Sequence, residues 1–236
     1  MFQPRPRAVL VDVGFTITFH DGPRIASLAA EGGVQVTAES VHGAERALRR
    51  ELAHYRWPSR AESPAPVGDG IRFCRRLLEL AGAQAAAPQR LDAAAERVWR
   101  SHLQRNVWSR VGAGVADALA RLRGAGIRLA VVSNSEGTIE RMLAEVGLLS
   151  CFDTVVDSWV VGLAKPDPRI FELALRHLDV PPHDAVHVGD SPAADVAGAR
   201  SAGVRAALVD PFDFHEACDA PRFRDFAAFA DAVLQK

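Results

Sequence analysis

From Val111 to Leu234 the chain alternates short apolar runs with segments of helical spacing, and that rhythm leaves few folds open. Gly114–Arg123 reads as a helix closed by Gly124-Ala125-Gly126. Ile127–Val132 reads as a buried strand, Ser135–Val146 as a helix closed by Gly147, and Asp153–Val156 as a short strand. Pro168–His177 is predicted as a helix with proline in its first turn. Ala185–Val188 follows as a strand, Ala193–Ala202 as a helix ended by Gly203, Val204–Val209 as a strand and Phe223–Leu234 as a helix. Strands and helices in alternation predict an α/β fold with helices on both faces of a parallel sheet.

The first strand of that sheet comes much earlier. Ala8-Val9-Leu10-Val11 runs directly into Asp12, with Gly14 and Thr16 just beyond. A continuous apolar run of this kind suits a strand buried on both faces. In open parallel sheets the ligand crevice lies beyond the carboxyl ends of the strands. Asp12 falls there, where a carboxylate can serve as a nucleophile, hold a cation or simply cap a turn.

Between the first strand and Val111 the pattern is helical. Thr18–Gly22 reads as a polar connector forming a turn or flap. Helices are predicted over Pro23–Glu31, Thr37–Tyr55, Asp69–Ala81 and Pro88–Arg105, with a proline-rich loop at Trp57–Pro66. The spacing of Val41, Ala44, Leu48 and Leu52 carries the second helix, and that of Ile71, Cys74, Leu77, Leu78 and Ala81 the third. The expected division is a core of residues 1–18 and 110–236 with an all-helical insert of residues 19–109.

Composition excludes several classes. A formal net charge of −1 offers no field for nucleic acid or a membrane surface. No apolar run approaches the length of a membrane span. The three cysteines, Cys74, Cys151 and Cys218, form no metal-ligand spacing. Met1–Arg7 leads straight into a strand without a signal-peptide pattern, so the expectation is a cytoplasmic protein. Only two lysines occur, Lys165 and Lys236, which makes Lys165 conspicuous.

Polar residues recur where the strands end. The second core strand ends in Ser133-Asn134, and the fourth in Gly189-Asp190-Ser191, with Asp195 five residues beyond Asp190. Lys165 precedes a helix in Leu163-Ala164-Lys165-Pro166-Asp167-Pro168. Several such groups at one sheet edge are the pattern of an active site. Each has a place in phosphoryl chemistry. Asp12 can attack phosphorus, and Ser133 beside backbone amides can bind a phosphate oxygen. Lys165 supplies a point charge. Asp12 and Asp190 can share Mg²⁺, which typically takes one or two carboxylates plus waters and phosphate. Asp195 can orient Asp190 or a bound water, while Asp167 reads as a turn residue.

These four stretches, in this order, resemble the haloacid dehalogenase-like hydrolase superfamily over residues 7–18 and 111–210. Asp12-Val13-Gly14-Phe15-Thr16 matches its first motif except at Gly14, and Val131-Val132-Ser133-Asn134 its second. Lys165-Pro166-Asp167-Pro168-Arg169-Ile170-Phe171 matches the third, and His187-Val188-Gly189-Asp190-Ser191 through Asp195 the fourth. The resemblance implies a Rossmann-like three-layer core with an inserted helical cap. It implies a phosphatase acting on a small phosphorylated metabolite through an aspartyl phosphate. Asp12, Ser133 and Lys165 are then catalytic, and Ser133, Asn134 and Lys165 bind phosphate. Mg²⁺ sits on Asp12, Asp190 and the carbonyl of Gly14, with Thr16, Ser191 and Asp195 supporting them.

Gly14 departs from the family. The phosphatases carry there a second Asp that protonates the leaving oxygen and then activates water, and glycine cannot. General acid–base catalysis is worth about 10²–10⁴-fold. Among nearby histidines, His20 in the flap is the candidate substitute, read otherwise as a solvated loop residue, and His187 reads as a packed strand residue. Two alternatives follow. One is a catalytically weak member that binds a phosphorylated ligand or a protein partner. The other is a 2-haloacid dehalogenase, against which Gly189-Asp190 argues. A phosphonoacetaldehyde hydrolase-like reading fails, because 19–109 contains no lysine for a Schiff base. Arginines of the insert can meet an anionic substrate, though helix-surface arginine is the commoner case.

Overall fold

The computed structural model describes residues 2–52 and 67–235. Six parallel strands form the central sheet. They are β1 (Ala8–Val11), β4 (Arg128–Ser133), β5 (Thr154–Asp157), β6 (Ala185–Gly189), β7 (Arg205–Val209) and β8 (Arg222–Phe223). Their spatial order is β5-β4-β1-β6-β7-β8, so β1 lies between β4 and β6 and the chain reverses its direction of winding there. Such a switch point opens a crevice beyond the strand ends.

Side-chain alternation along the strands divides the core into two layers. Val9, Val11, Leu129, Val131, Val186 and Val188 face one side. There they meet α5 (Val115–Gly124), α6 (Ile139–Glu145) and α10 (Phe226–Leu234). Ala8, Leu10, Ala130, Val132 and Leu208 face the other, against α8 (Pro168–Leu178) and the short α9 (Gly198–Ser201). Every residue of β1 is buried, as expected of a central strand with helices on both faces. The fold class is the α/β Rossmann-like one that the strand–helix alternation and the motifs imply.

A second, two-stranded antiparallel ribbon pairs β2 (Thr18–Phe19) with β3 (Arg110–Val111). The stretch expected as a polar turn or flap thus carries a strand. Between its two strands lie α1 (Gly22–Glu31), α2 (Ala38–Leu52), α3 (Val67–Leu80) and α4 (Pro88–Gln104). Their apolar faces form a third core that includes Ile25, Leu48, Leu77, Leu78, Val98 and Trp99. The predicted loop at Trp57–Pro66, and the predicted end of the second helix at Tyr55, lie outside the described residues.

Two other expectations shift. The helix predicted from Ser135 starts at Ile139, because Asp157 draws the preceding loop onto itself. Its carboxylate accepts from Ser135 Oγ, from Gly137 N at 3.2 Å and from Ile139 N at 3.4 Å. The helix predicted over Ala193–Ala202 opens with a wider turn, Pro192–Ala197, before α9. Among the described residues no helix is long and apolar enough to cross a membrane.

Within the insert, α1 and α4 meet at glycine. A Cβ on Gly32 would stand 2.5 Å from Ala94 Cα, inside the backbone of α4. Gly32→Ala is expected to lower stability by about 1–3 kcal/mol through overpacking. Denaturant unfolding checks this as a reduced midpoint at unchanged slope.

Candidate active site

The carboxyl edge of the sheet gathers the charged residues. Asp12 continues β1, and its N–H donates to Val188 O at 2.9 Å, which fixes it beside β6. Lys165 Nζ reaches in from the loop before α8 and donates to Asp12 Oδ1 and Asp195 Oδ1, each at 2.6 Å. All three side chains are nearly fully buried. Thr16 Oγ1 donates to Asp12 Oδ2 at 3.0 Å, so both carboxylate oxygens of Asp12 are oriented.

Asp195 is further held by His187 Nε2 at 2.9 Å and Ser191 N at 2.9 Å. Through these contacts it braces Lys165. His187 packs edge-on against Phe171, with ring centroids 5.0 Å apart. A Cβ on Gly189 would stand 2.1 Å from Asp195 Cγ, so only glycine lets β6 end so close to this carboxylate.

Asn134 and Lys165 exchange hydrogen bonds: Asn134 Nδ2 donates to Lys165 O at 3.0 Å, and Lys165 N donates to Asn134 Oδ1 at 2.8 Å. The Asn134 side chain therefore fixes the lysine's backbone. Ser133 is buried at the end of β4 and lines the same cavity as Asp12 and Lys165. Ser191 caps the following turn by accepting from Ala194 N at 3.1 Å. Asp167 is the N-cap of α8, a turn role as read from the sequence.

Burial sets the protonation pattern. It raises Asp12 and would raise Asp195, but in Asp195 the Lys165 charge and the hydrogen bonds from His187 and Lys165 win and hold it well below the usual carboxylate range. Burial would lower Lys165, yet its two carboxylates outweigh that and hold it firmly charged. Asp190 has no such lysine. Burial pushes it up to about 7, with Arg49 the main opposing charge. Ligand atoms of Asp12, Asp190 and Asp195 lie within 4.8 Å of one another. Asp195 is committed to Lys165 and His187, which leaves Asp190 and Asp12 as the pair open to a hard divalent ion.

Above these residues lies a cavity of about 150 Å³. Core residues Asp12, Gly14, Ser133 and Asp190 line its floor, and Arg49, Phe73, His102 and Trp108 of the insert contribute to its walls. Trp108 closes over Gly14: a Cβ there would stand 3.4–3.7 Å from the six-membered ring of the indole. Trp108 also packs on Phe15 (centroids 4.7 Å apart) and His20 (4.0 Å).

His20 is fully buried and is not the solvated residue expected. Its N–H and Nδ1 meet Glu45 Oε1 at 2.8 and 3.2 Å, its Nε2 has no partner, and burial lowers its pKa. It does not line the cavity.

Sequence reasoning missed Arg49, His102, Glu136 and Trp108 at the cavity. Arg49 reads as a surface arginine on α2, yet its side chain is 6% exposed. His102 Nε2 lies 3.2 Å from Glu136 Oε2, joining α4 to the loop after β4. The only sequence signal for Glu136 is its position three residues after Ser133.

A sequence model of the haloacid dehalogenase-like hydrolase family matches residues 6–203. The chain belongs to that family. It is a hydrolase. A phosphoserine phosphatase of Thermus thermophilus is 36% identical over 215 residues, which cover 88% of this chain and 82% of that protein. The mouse haloacid dehalogenase-like hydrolase domain-containing protein 3 is 34% identical over 200 residues, 81% of this chain and 77% of that one. A solved HAD phosphatase from Thermococcus onnurineus superposes with a TM-score of 0.62 at 23% identity, over 97% of this hydrolase and 98% of that chain. That last likeness is one of fold.

Asp190 gives the hydrolase a pH signature. Folded, it keeps its proton to about pH 7; unfolded, it releases it at its ordinary 3.8. Between those values the folded state binds more protons, so stability falls as pH rises. Asp190→Asn, in chelator, is expected to match the wild type near pH 4 and to melt at higher temperature at pH 8. Thermal scans across that range check it, and a variant melting lower at pH 8 contradicts it.

Proposed function

We propose that this hydrolase is a magnesium-dependent phosphoric monoester hydrolase, acting on a small phosphorylated metabolite through an aspartyl phosphate on Asp12. The observation that carries this reading is Asp12 itself. It sits at the sheet's switch point, on the floor of a closed-in cavity, with one oxygen on Lys165 and the other on Thr16. The phosphoserine phosphatase relative supports the phosphatase class. Three free cysteines suit a reducing cytoplasm.

Asp12 attacks phosphorus, the bond to the leaving oxygen breaks, and water then cleaves the acyl phosphate. Lys165 neutralises charge on the nucleophile and on the transferring group, while Ser133 and the amides after β4 bind phosphate oxygens. Asp195 and His187 keep Lys165 in place, and Asn134 fixes its backbone. Asp12, Asp190 and the Gly14 carbonyl would hold Mg²⁺, which supplies charge neutralisation at the phosphoryl oxygens.

Gly14 offers no proton to the leaving oxygen. The same residue favours the second reading, a weakly catalytic member that binds a phosphorylated ligand or a protein partner. Turnover of a panel of phosphate esters, with and without Mg²⁺, separates the two.

Asp12→Asn should lower turnover of every ester to background, because an amide forms no acyl phosphate. Retention of most of the activity would assign it to another residue.

Leaving-group chemistry tests Gly14. Aryl and acyl phosphates need little protonation on departure, whereas alkyl phosphates need much. kcat/KM should fall steeply from p-nitrophenyl phosphate to a sugar phosphate. Gly14→Asp should flatten that fall by up to about 10²–10⁴-fold. The Gly14 backbone is outside the left-handed region and a Cβ there meets only van der Waals contact with Trp108. Equal slowness on alkyl esters after the substitution, with Mg²⁺ binding intact, refutes the role given to position 14.

A further inference from the structure

Arg49 brings a charge from the helical insert against the acidic floor of the cavity. Its Nη1 donates to Phe15 O at 3.3 Å and its Nη2 to Val209 O at 2.9 Å. The guanidinium rests on the Phe15 ring, 5.2 Å from the centroid. Nη2 stands 3.8 Å from Asp190 Oδ2, too far for a hydrogen bond and close enough for a strong charge interaction. Asp12 and Asp195 share Lys165, while Arg49 stands against Asp190.

The charges sum simply. Three carboxylates meet one lysine and one arginine. Without Arg49 the floor is a stronger cation trap. With it, a site that has taken up a divalent ion carries one more positive charge toward a phosphate dianion. Two of the guanidinium's donors are held by backbone carbonyls, and at 3.8 Å its effect on Asp190 acts through space.

We infer that Arg49 is a positioning residue that sets the charge of the site, weakening its hold on the divalent ion and strengthening its hold on the phosphoryl group. Because α2 carries it, the insert contributes to ion and anion affinity as well as to the cavity wall. The inference rests on the metal-dependent reading above, and its test separates the two.

Calorimetric titrations of Mg²⁺, and of inorganic phosphate with and without Mg²⁺, are made on the wild type, Arg49→Gln, Arg49→Met and Arg49→Lys. The neutral variants should bind Mg²⁺ about tenfold more tightly and phosphate about tenfold more weakly. Arg49→Lys, which keeps the charge, should stay within about twofold of the wild type for both. Glutamine keeps a donor for the carbonyls and methionine keeps the apolar stem on Phe15, so one neutral variant that folds by circular dichroism is enough. Unchanged affinities in that variant, or a lysine variant that behaves like the neutral ones, overturn the inference and reduce Arg49 to an anchor for α2. A wild type that binds no Mg²⁺ counts against the metal-dependent reading instead, and phosphate titration without metal then reads Arg49 alone.

Discussion

One buried ammonium holds the site together. Lys165 sits between Asp12 and Asp195 with both contacts at 2.6 Å, and all three side chains are nearly fully buried. Removing one partner from such a cluster leaves an uncompensated buried charge, which costs several kcal/mol. The surrounding architecture answers that constraint. Asn134 grips the lysine's peptide, His187 and Ser191 N hold Asp195, and Thr16 holds Asp12. Phe171 in turn packs on His187, so the hydrophobic layer beneath α8 reaches the charged cluster in two contacts. The fold thereby presents Asp12 with its orientation already fixed before any ligand arrives.

Most of this framework was legible in the sequence because it rests on local pattern. Apolar runs ending in Asp12, Ser133 and Asp190 report strands and their polar ends in a few consecutive residues. Parallel pairing and the switch point at β1 follow from alternation plus connection rules. What was not legible depends on where a long side chain travels. Arg49 belongs by spacing to an exposed helix face, and only the docking of α2 beside Phe15 and Val209 buries it. His20 reads as solvated because its flap is polar, yet Trp108, almost the whole insert away in sequence, covers it. Asp195 lies close to Asp190 in sequence, but the wide turn at Pro192–Ala197 aims it at Lys165. The start of α6 was misplaced for a similar reason, since Asp157 from the neighbouring strand captures the amides of Gly137 and Ile139.

Gly14 and Trp108 are complementary parts of one surface. Where a side chain is missing from the loop after β1, an indole from the end of the insert covers the backbone. The indole narrows the space above the floor on that side. The cavity is polar on the side of Ser133, Glu136 and His102 and aromatic on the side of Phe15, Phe73 and Trp108.

The paired strands β2 and β3 have a consequence for the chain as a polymer. Thr18 faces Val111 and Phe19 faces Arg110, and Gly112 N closes onto Ile17 O at 2.9 Å, so the insert leaves and rejoins the core at almost the same point. To the core, everything between those strands is one closed loop whose entropic cost grows only with the logarithm of its length. Size and sequence of the helical module are thus free to diverge with little effect on the folding of the sheet. The tether that confers this freedom delivers Trp108 to Gly14 by way of Ser109 alone, tying the helical module to the loop that follows β1.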